Sequence, residues 1–181
     1  MKKYQIIYSD PPWKFNNKNT GGSMISGSAN NYNCMTVDEI CMLPVWKVRA
    51  DNCVLFMWWV GSMPDEALRV VRSWGFRLIT MTGFTWVKKT VSGKPHFGMG
   101  FWTRAGSENC LIAVRGNPKK INASIRSVVE HEILSYSTKP DIFRDLIVNL
   151  VGDVPRLEMF ARKNVDGWDA FGDEVEFGEV F

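Results

Sequence analysis

Asp10-Pro11-Pro12-Trp13 puts a carboxylate, two imino acids and an indole in four consecutive positions. Proline fixes φ and gives up its N–H, so a prolyl carbonyl beside the carboxylate is a second acceptor at a set spacing. Two such acceptors suit the two hydrogens of an exocyclic amine, and the indole can stack on a flat base. The amine of adenine is a poor nucleophile because its lone pair is delocalised into the ring. Acceptors on both hydrogens favour a pyramidal nitrogen and stabilise positive charge as it attacks, so that a methyl donor can approach in line. The same four residues can also form a plain turn. What separates the two readings is position, because this tetrapeptide directly follows a short apolar, β-rich run, Tyr4 to Ser9.

Other reactive side chains are sparse. Cys34, Cys41, Cys53 and Cys110 include no CxxC pair, and His96 and His131 lie near none of them, so the chain predicts free thiols in a reducing compartment and no metal. A net charge of +3, from 22 Lys+Arg against 19 Asp+Glu, tolerates a polyanion but binds one tightly only where the charge is concentrated. Lys119, Lys120 and Arg126 form one such stretch, read either as a track for a phosphate backbone or as a solvated face.

The elements that must position these residues follow from periodicity. Cys53 to Val60 is a continuous apolar run ended by Gly61, the pattern of a strand buried on both faces. Ser62 offers a cap and Pro64 a first helical turn, with Leu68, Val71 and Trp74 as an apolar face before Gly75 and a further strand from Arg77 to Val87. Ser137-Thr138-Lys139-Pro140-Asp141 opens another helix carrying Phe143, Leu146, Ile147 and Leu150, closed by Gly152 and Pro155, with a strand from Arg156 to Ala161. This alternation predicts an α/β fold with a mostly parallel central sheet, helices on both faces, and ligands beyond the carboxyl ends of the strands. Lys14 to Asn33 and Lys88 to Gly106 are long, Gly-rich loops that each follow a strand, and are read as functional lids or plain surface.

The 181 residues, 45% hydrophobic, suit a single domain spanning 1–181. The longest apolar run falls far short of the roughly 20 residues of a spanning helix. The N-terminus carries no export pattern, so a soluble, cytoplasmic protein is expected.

The chain resembles the MT-A seventy-kDa-subunit family of N6-adenine methyltransferases. Beyond Asp10-Pro11-Pro12-Trp13, the resemblance rests on Tyr32-Asn33-Cys34-Met35-Thr36 with Asp38-Glu39, Trp86-Val87-Lys88 and Gly100-Phe101-Trp102. It continues through Glu108-Asn109-Cys110-Leu111, Val114-Arg115-Gly116-Asn117-Pro118, Ser137-Thr138-Lys139-Pro140-Asp141, Leu157-Glu158-Met159-Phe160-Ala161-Arg162, Asn164-Val165 and Gly167-Trp168. It implies a Rossmann-like, S-adenosylmethionine-binding fold in permuted order, with the catalytic motif N-terminal and the cofactor motif C-terminal. Asp10 and Pro11 would hold the target amine, while Pro12 and Trp13 shape the base pocket. The cofactor would meet Asp10, Ser137, Lys139, Pro140, Arg162, Asn164, Asp173 and Glu174, the last two being read equally as a solvated acidic tail. Tyr32, Trp86, Lys88, Trp102, Arg104 and Arg115 would meet the substrate, with ordinary core as the other reading of Trp86.

The resemblance also implies nucleic acid as partner, with DNA favoured over RNA. A homodimer or a second methyltransferase subunit is the further expectation, because the sequence begins at the catalytic strand, with no separate recognition module ahead of it. Two other readings stand beside an active adenine enzyme. An inert nucleic-acid-presenting subunit should carry a decayed tetrapeptide, whereas all four residues are present here. Cytosine amine methylation more often goes with Ser-Pro-Pro-Trp than with Asp10.

Overall fold

The structure, a computed structural model, describes residues 1–14, 34–100, 102–133, 138–173 and 175. Seven strands form one sheet: β1 (Tyr4–Ser9), β2 (Arg49–Trp59), β3 (Arg77–Lys89), β4 (Ser107–Arg115), β5 (Val128–Glu132), β6 (Arg156–Met159) and β7 (Asp169–Phe171). They lie in the order β5-β3-β4-β2-β1-β6-β7. Every pairing is parallel except the two that β4 makes, with β2 and with β3, so six strands run one way and β4 alone runs back.

The apolar run of β2 is buried on both faces and sorts its side chains by alternation. Cys53, Leu55 and Met57 join Ile7, Leu111 and Leu157 beneath α1 (Val37–Met42) and α2 (Pro64–Ser73). Val54, Phe56 and Trp58 face the other way, into a core of Tyr8, Phe84, Trp86, Cys110 and Trp168 closed by Phe143 and Ile147 of α3 (Ile142–Val151). Helices thus cover both faces, as alternation predicts. No helix among the described residues is long and apolar enough to cross a membrane.

The structure departs from sequence expectation at several boundaries. Met63, not Ser62, occupies the N-cap of α2, because Pro64 already supplies a first turn that lacks an N–H to satisfy. The last strand of the core stops at Met159, and Phe160 turns out of it at φ 61°. Helix α1 begins in a capping box in which the Glu39 N–H donates to Thr36 Oγ1 at 3.3 Å and the Thr36 N–H donates to Glu39 Oε2 at 2.7 Å. The long segment after Lys88 is a two-stranded extension rather than an open loop. The Lys89–Pro95 bridge closes a first turn, and the Gly98–Ala105 bridge then joins the two arms of a second hairpin that carries Trp102.

Candidate active site

The carboxyl ends of β1, β2 and β6 are level, since Ser9 pairs with Met57 on one side and Met159 on the other. Asp10 is the next residue, so its carboxylate emerges at the pole where parallel strands end. Lys139 reaches the same point from the turn before α3 and donates to Asp10 Oδ2 at 2.7 Å. Its side chain is only 10% exposed, and its ammonium stands 5.3 Å from the centre of the Trp58 ring. The start of α3 is held by Arg144, whose Nε and Nη2 donate to the two carboxylate oxygens of buried Glu158 on β6 at 2.7 and 2.6 Å. Asp141, at the N-cap of α3, accepts from Arg144 and from Lys163.

A second carboxylate completes the cluster. Glu108 pairs with Lys139 at 3.2 Å and with Lys88 at 2.5 Å, so Lys88, Glu108, Lys139 and Asp10 alternate in sign across β3, β4, the α3 turn and β1. Burial pushes the Glu108 carboxyl up, but the ammoniums of Lys139 and Lys88 together hold it below the ordinary value. Burial likewise pushes Lys139 down, and Asp10 and Glu108 outweigh it and hold the ammonium above its usual range. Beneath them the Cys110 thiol is buried and raised well above its ordinary value, chiefly by desolvation and then by the Asp10 charge.

The tetrapeptide is stitched in place through its backbone. The Trp13 N–H donates to the Pro11 carbonyl at 2.9 Å, and the Pro12 carbonyl accepts from the Met35 N–H at 2.8 Å. Each carbonyl keeps a second lone pair. The Trp13 indole donates to the Trp58 carbonyl at 3.2 Å, which fixes the ring, and Trp58 in turn donates to the Tyr8 hydroxyl at 2.8 Å. Acceptors, an aromatic wall and a buried ammonium therefore converge on one pole. Such a site can orient an amine and meet an anionic group beside it.

The profile of the family described as MT-A70 matches residues 4–174. The chain belongs to the MT-A70 family. It is 30% identical to the Type II methyltransferase M.MunI of Mycoplasma sp over 99% of its own length and 81% of that protein. It is 27% identical to the human N(6)-adenosine-methyltransferase catalytic subunit METTL3 over 97% of the chain, which spans only 29% of that relative. A relative from Drosophila melanogaster, an N(6)-adenosine-methyltransferase MT-A70-like protein, is 25% identical over 97% of the chain and 28% of its own length. The expected membership in a methyltransferase family and the Rossmann-like fold are both borne out.

Within this MT-A70 chain, the residues expected at the site divide into three groups. Asp10, Pro11, Pro12, Trp13, Lys88, Lys139 and Pro140 are brought together at the carboxyl pole. Arg162 and Asn164 follow β6 and Asp173 follows β7, beside that pole, whereas Tyr32, Ser137 and Glu174 lie outside the described residues.

One expectation is decided between its two readings and one is corrected. Trp86 is 2% exposed and donates its indole N–H to the His131 carbonyl at 2.9 Å, so of its two readings the core one holds. What it offers the site is a face 5.0 Å from the Lys88 ammonium. Arg115 pairs with Cys53, four residues down β2 from Met57, because β4 runs backwards and ends at the opposite pole. At strand rise that is about 13 Å below Ser9 and about 16 Å below Asp10, too far for the contact that resemblance implied.

Trp102 and Arg104 are exposed near the end of the β3–β4 extension. Sequence reasoning assigned no role to Glu108 or Trp58. A Glu one residue into a strand otherwise filled by Cys110, Leu111, Ile112, Ala113 and Val114 was the available signal for the first.

Proposed function

We propose that this MT-A70 chain is an S-adenosylmethionine-dependent methyltransferase acting on N6 of adenine in nucleic acid, with DNA its main substrate, through a single domain spanning 1–181. The observation that carries the reading is the Asp10 carboxylate and the adjacent prolyl carbonyls, fixed at the carboxyl pole with the buried Lys139 ammonium 2.7 Å from Asp10.

Asp10 and the Pro11 carbonyl accept the two hydrogens of the adenine amine, which draws the nitrogen lone pair out of conjugation toward the electrophile. Trp13, its indole anchored on the Trp58 carbonyl, forms one wall of the base pocket. Glu108, itself paired with Lys88, holds Lys139 from the far side, so the ammonium is kept from swinging away from Asp10.

The residues present fit the methionine end of the cofactor on the chemistry of their donors. An ammonium has three N–H donors; two of Lys139's go to Asp10 and Glu108, leaving one for a carboxylate. Ser9 Oγ, on the residue before Asp10, is buried and has no partner among the described residues. Arg162, Asn164 and Asp173 would take the ribose and adenine ends. S-adenosylmethionine, when bound, supplies the electrophilic methyl group.

DNA is favoured because the similarity to the Type II methyltransferase, an enzyme of DNA, extends over most of that protein. A target in a duplex must be extruded at a cost of a few kcal/mol. The RNA reading keeps its own support in the N(6)-adenosine-methyltransferase relatives. Four free cysteines suit a reducing, cytoplasmic setting.

The test is to incubate the purified protein with labelled S-adenosylmethionine and single-stranded DNA, duplex DNA or RNA, digest to nucleosides, and identify the product by mass spectrometry. N6-methyldeoxyadenosine is expected, and Asp10→Ala should abolish it while the circular dichroism spectrum stays native. N6-methyladenosine alone would move the function to RNA, N4-methyldeoxycytidine would overturn the base assignment, and a fully active Asp10→Ala protein would overturn the mechanism.

A further inference from the structure

The segment between β3 and β4 rises directly from the site, since its roots are Lys88 and Glu108. It is a ribbon, with the Lys88 N–H donating to the Gly106 carbonyl at 2.9 Å and Gly98 and Ala105 exchanging both backbone hydrogen bonds at 2.9 and 3.2 Å. Its described outer residues are apolar and uncovered: Phe97 is 74% exposed, Met99 67% and Trp102 106%. Trp102 is one of only two non-glycine residues among those described with positive φ, at 65°, a conformation that costs an L-residue about 1 kcal/mol. Arg104 stands over the Phe97 ring at 4.9 Å. At its base Lys88 and Lys89 are paired with Glu108 and Glu130, while beyond them the segment holds Lys94 and Arg104 and no acidic residue.

We propose that this cationic ribbon enters duplex DNA and that the Trp102 indole is the wedge that fills the base stack when the target adenine leaves it. The inference rests on the adenine-methylation reading above and adds to it the device by which the base is extruded. A β-ribbon fits the major groove, which is about 12 Å wide. Trp102 is six Cα steps from Glu108, so the tip stands at most about 20 Å from the Glu108 end of the charge cluster. Apolar side chains inserted between base steps are the general means of unstacking a duplex, and an indole replaces the lost stacking area. Charge also selects this occupant. A two-fold interface between copies would set like-charged ribbons against each other, whereas phosphates complement them.

The experiment compares the whole protein with Trp102→Ala and Trp102→Phe on one sequence presented as single strand and as duplex, reading methyl transfer by mass spectrometry. Binding to an intact duplex and to the same duplex carrying one abasic site is read by fluorescence anisotropy, and mass by light scattering. Trp102→Ala should lose at least tenfold more activity on the duplex than on the single strand, because a single strand has no stack to open. It should also lose the wild type's preference for the abasic duplex, and Trp102→Phe should restore most of both.

Equal losses on the two substrates, or no loss, would overturn the wedge. So would a dimer that Trp102→Ala converts to monomer, which would make the ribbon a subunit contact, or a wild type that modifies only single strands. A wild type that prefers the abasic duplex through Trp102 yet methylates no nucleic acid would sustain the wedge and overturn the activity it was built on.

Discussion

Replacing Lys139 by Met tests the charge cluster most directly, because among the described residues its ammonium alone pairs with both carboxylates. The methionine keeps the length and apolar stem, so the change is confined to charge. Asp10 at 2.7 Å loses its ion-pair partner and Glu108 keeps Lys88. Stripping one partner from a buried pair costs about 3–5 kcal/mol, and the partial exposure of Asp10 sets the expectation at the lower end, about 3 kcal/mol. At about 2 to 4 °C per kcal/mol for a chain of this size, Tm should fall by about 6 to 12 °C.

The pH dependence carries a sign. In the native protein Glu108 is held below its ordinary 4.5, so its contribution is present above that value and lost as the pH falls through its native pKa. Lys139 is held above its ordinary 10.5, so its contribution is complete below that value and lost as the pH rises through its native pKa. Lys139→Met leaves Asp10 and Glu108 facing each other without the ammonium. Protonating Glu108 relieves the repulsion, and the deficit should narrow as the pH drops toward about 4–5. Differential scanning calorimetry of both proteins across that range gives the answer. Adding Glu108→Gln to Lys139→Met should recover part of the loss. A Tm within about 2 °C of the parent, or a deficit that does not change with pH, would refute the account of the cluster.

Two further outcomes concern Trp86 and Arg115. Trp86→Ala should lower the free energy of unfolding by about 3–5 kcal/mol in urea titration, as expected for a core aromatic; a loss below about 1 kcal/mol would restore it to the list of base platforms. Arg115→Ala should leave KM for DNA within about twofold, since the side chain lies at the pole opposite Asp10, and a tenfold rise, worth about 1.4 kcal/mol, would place nucleic acid there.

The strands that build the site were readable where burial is two-sided. Tyr4–Ser9 matches the expected run residue for residue, and the apolar stretch of β2 is longer than expected only at its amphipathic start, Arg49 to Asn52. Helix α1 went unread although Thr36 and Glu39 stand at capping-box spacing, because six residues are too few to show an apolar period. Strands β5 and β7, with five and three residues, fall below the length at which alternation can be counted. Trp86 was legible both as an aromatic near the site and as core, and the sequence could not choose between them, because whether an indole meets solvent depends on what a neighbouring strand places over it. Here that neighbour is β5, through His131.

What the sequence alone determined is local chemistry: a carboxylate and two rigid carbonyls after a buried strand, a lysine before a helix, and the alternation that puts both at one end of a sheet. The tertiary structure decided direction and partnership. The reversed course of β4 carries Glu108 to the pole of Asp10 and Arg115 away from it, though both lie on one nine-residue strand. The Lys139–Asp10 pair joins residues 129 apart in sequence. No spacing rule reaches that far, because such pairs are set by which strands neighbour each other in the sheet, and that order is fixed by burying two faces at once.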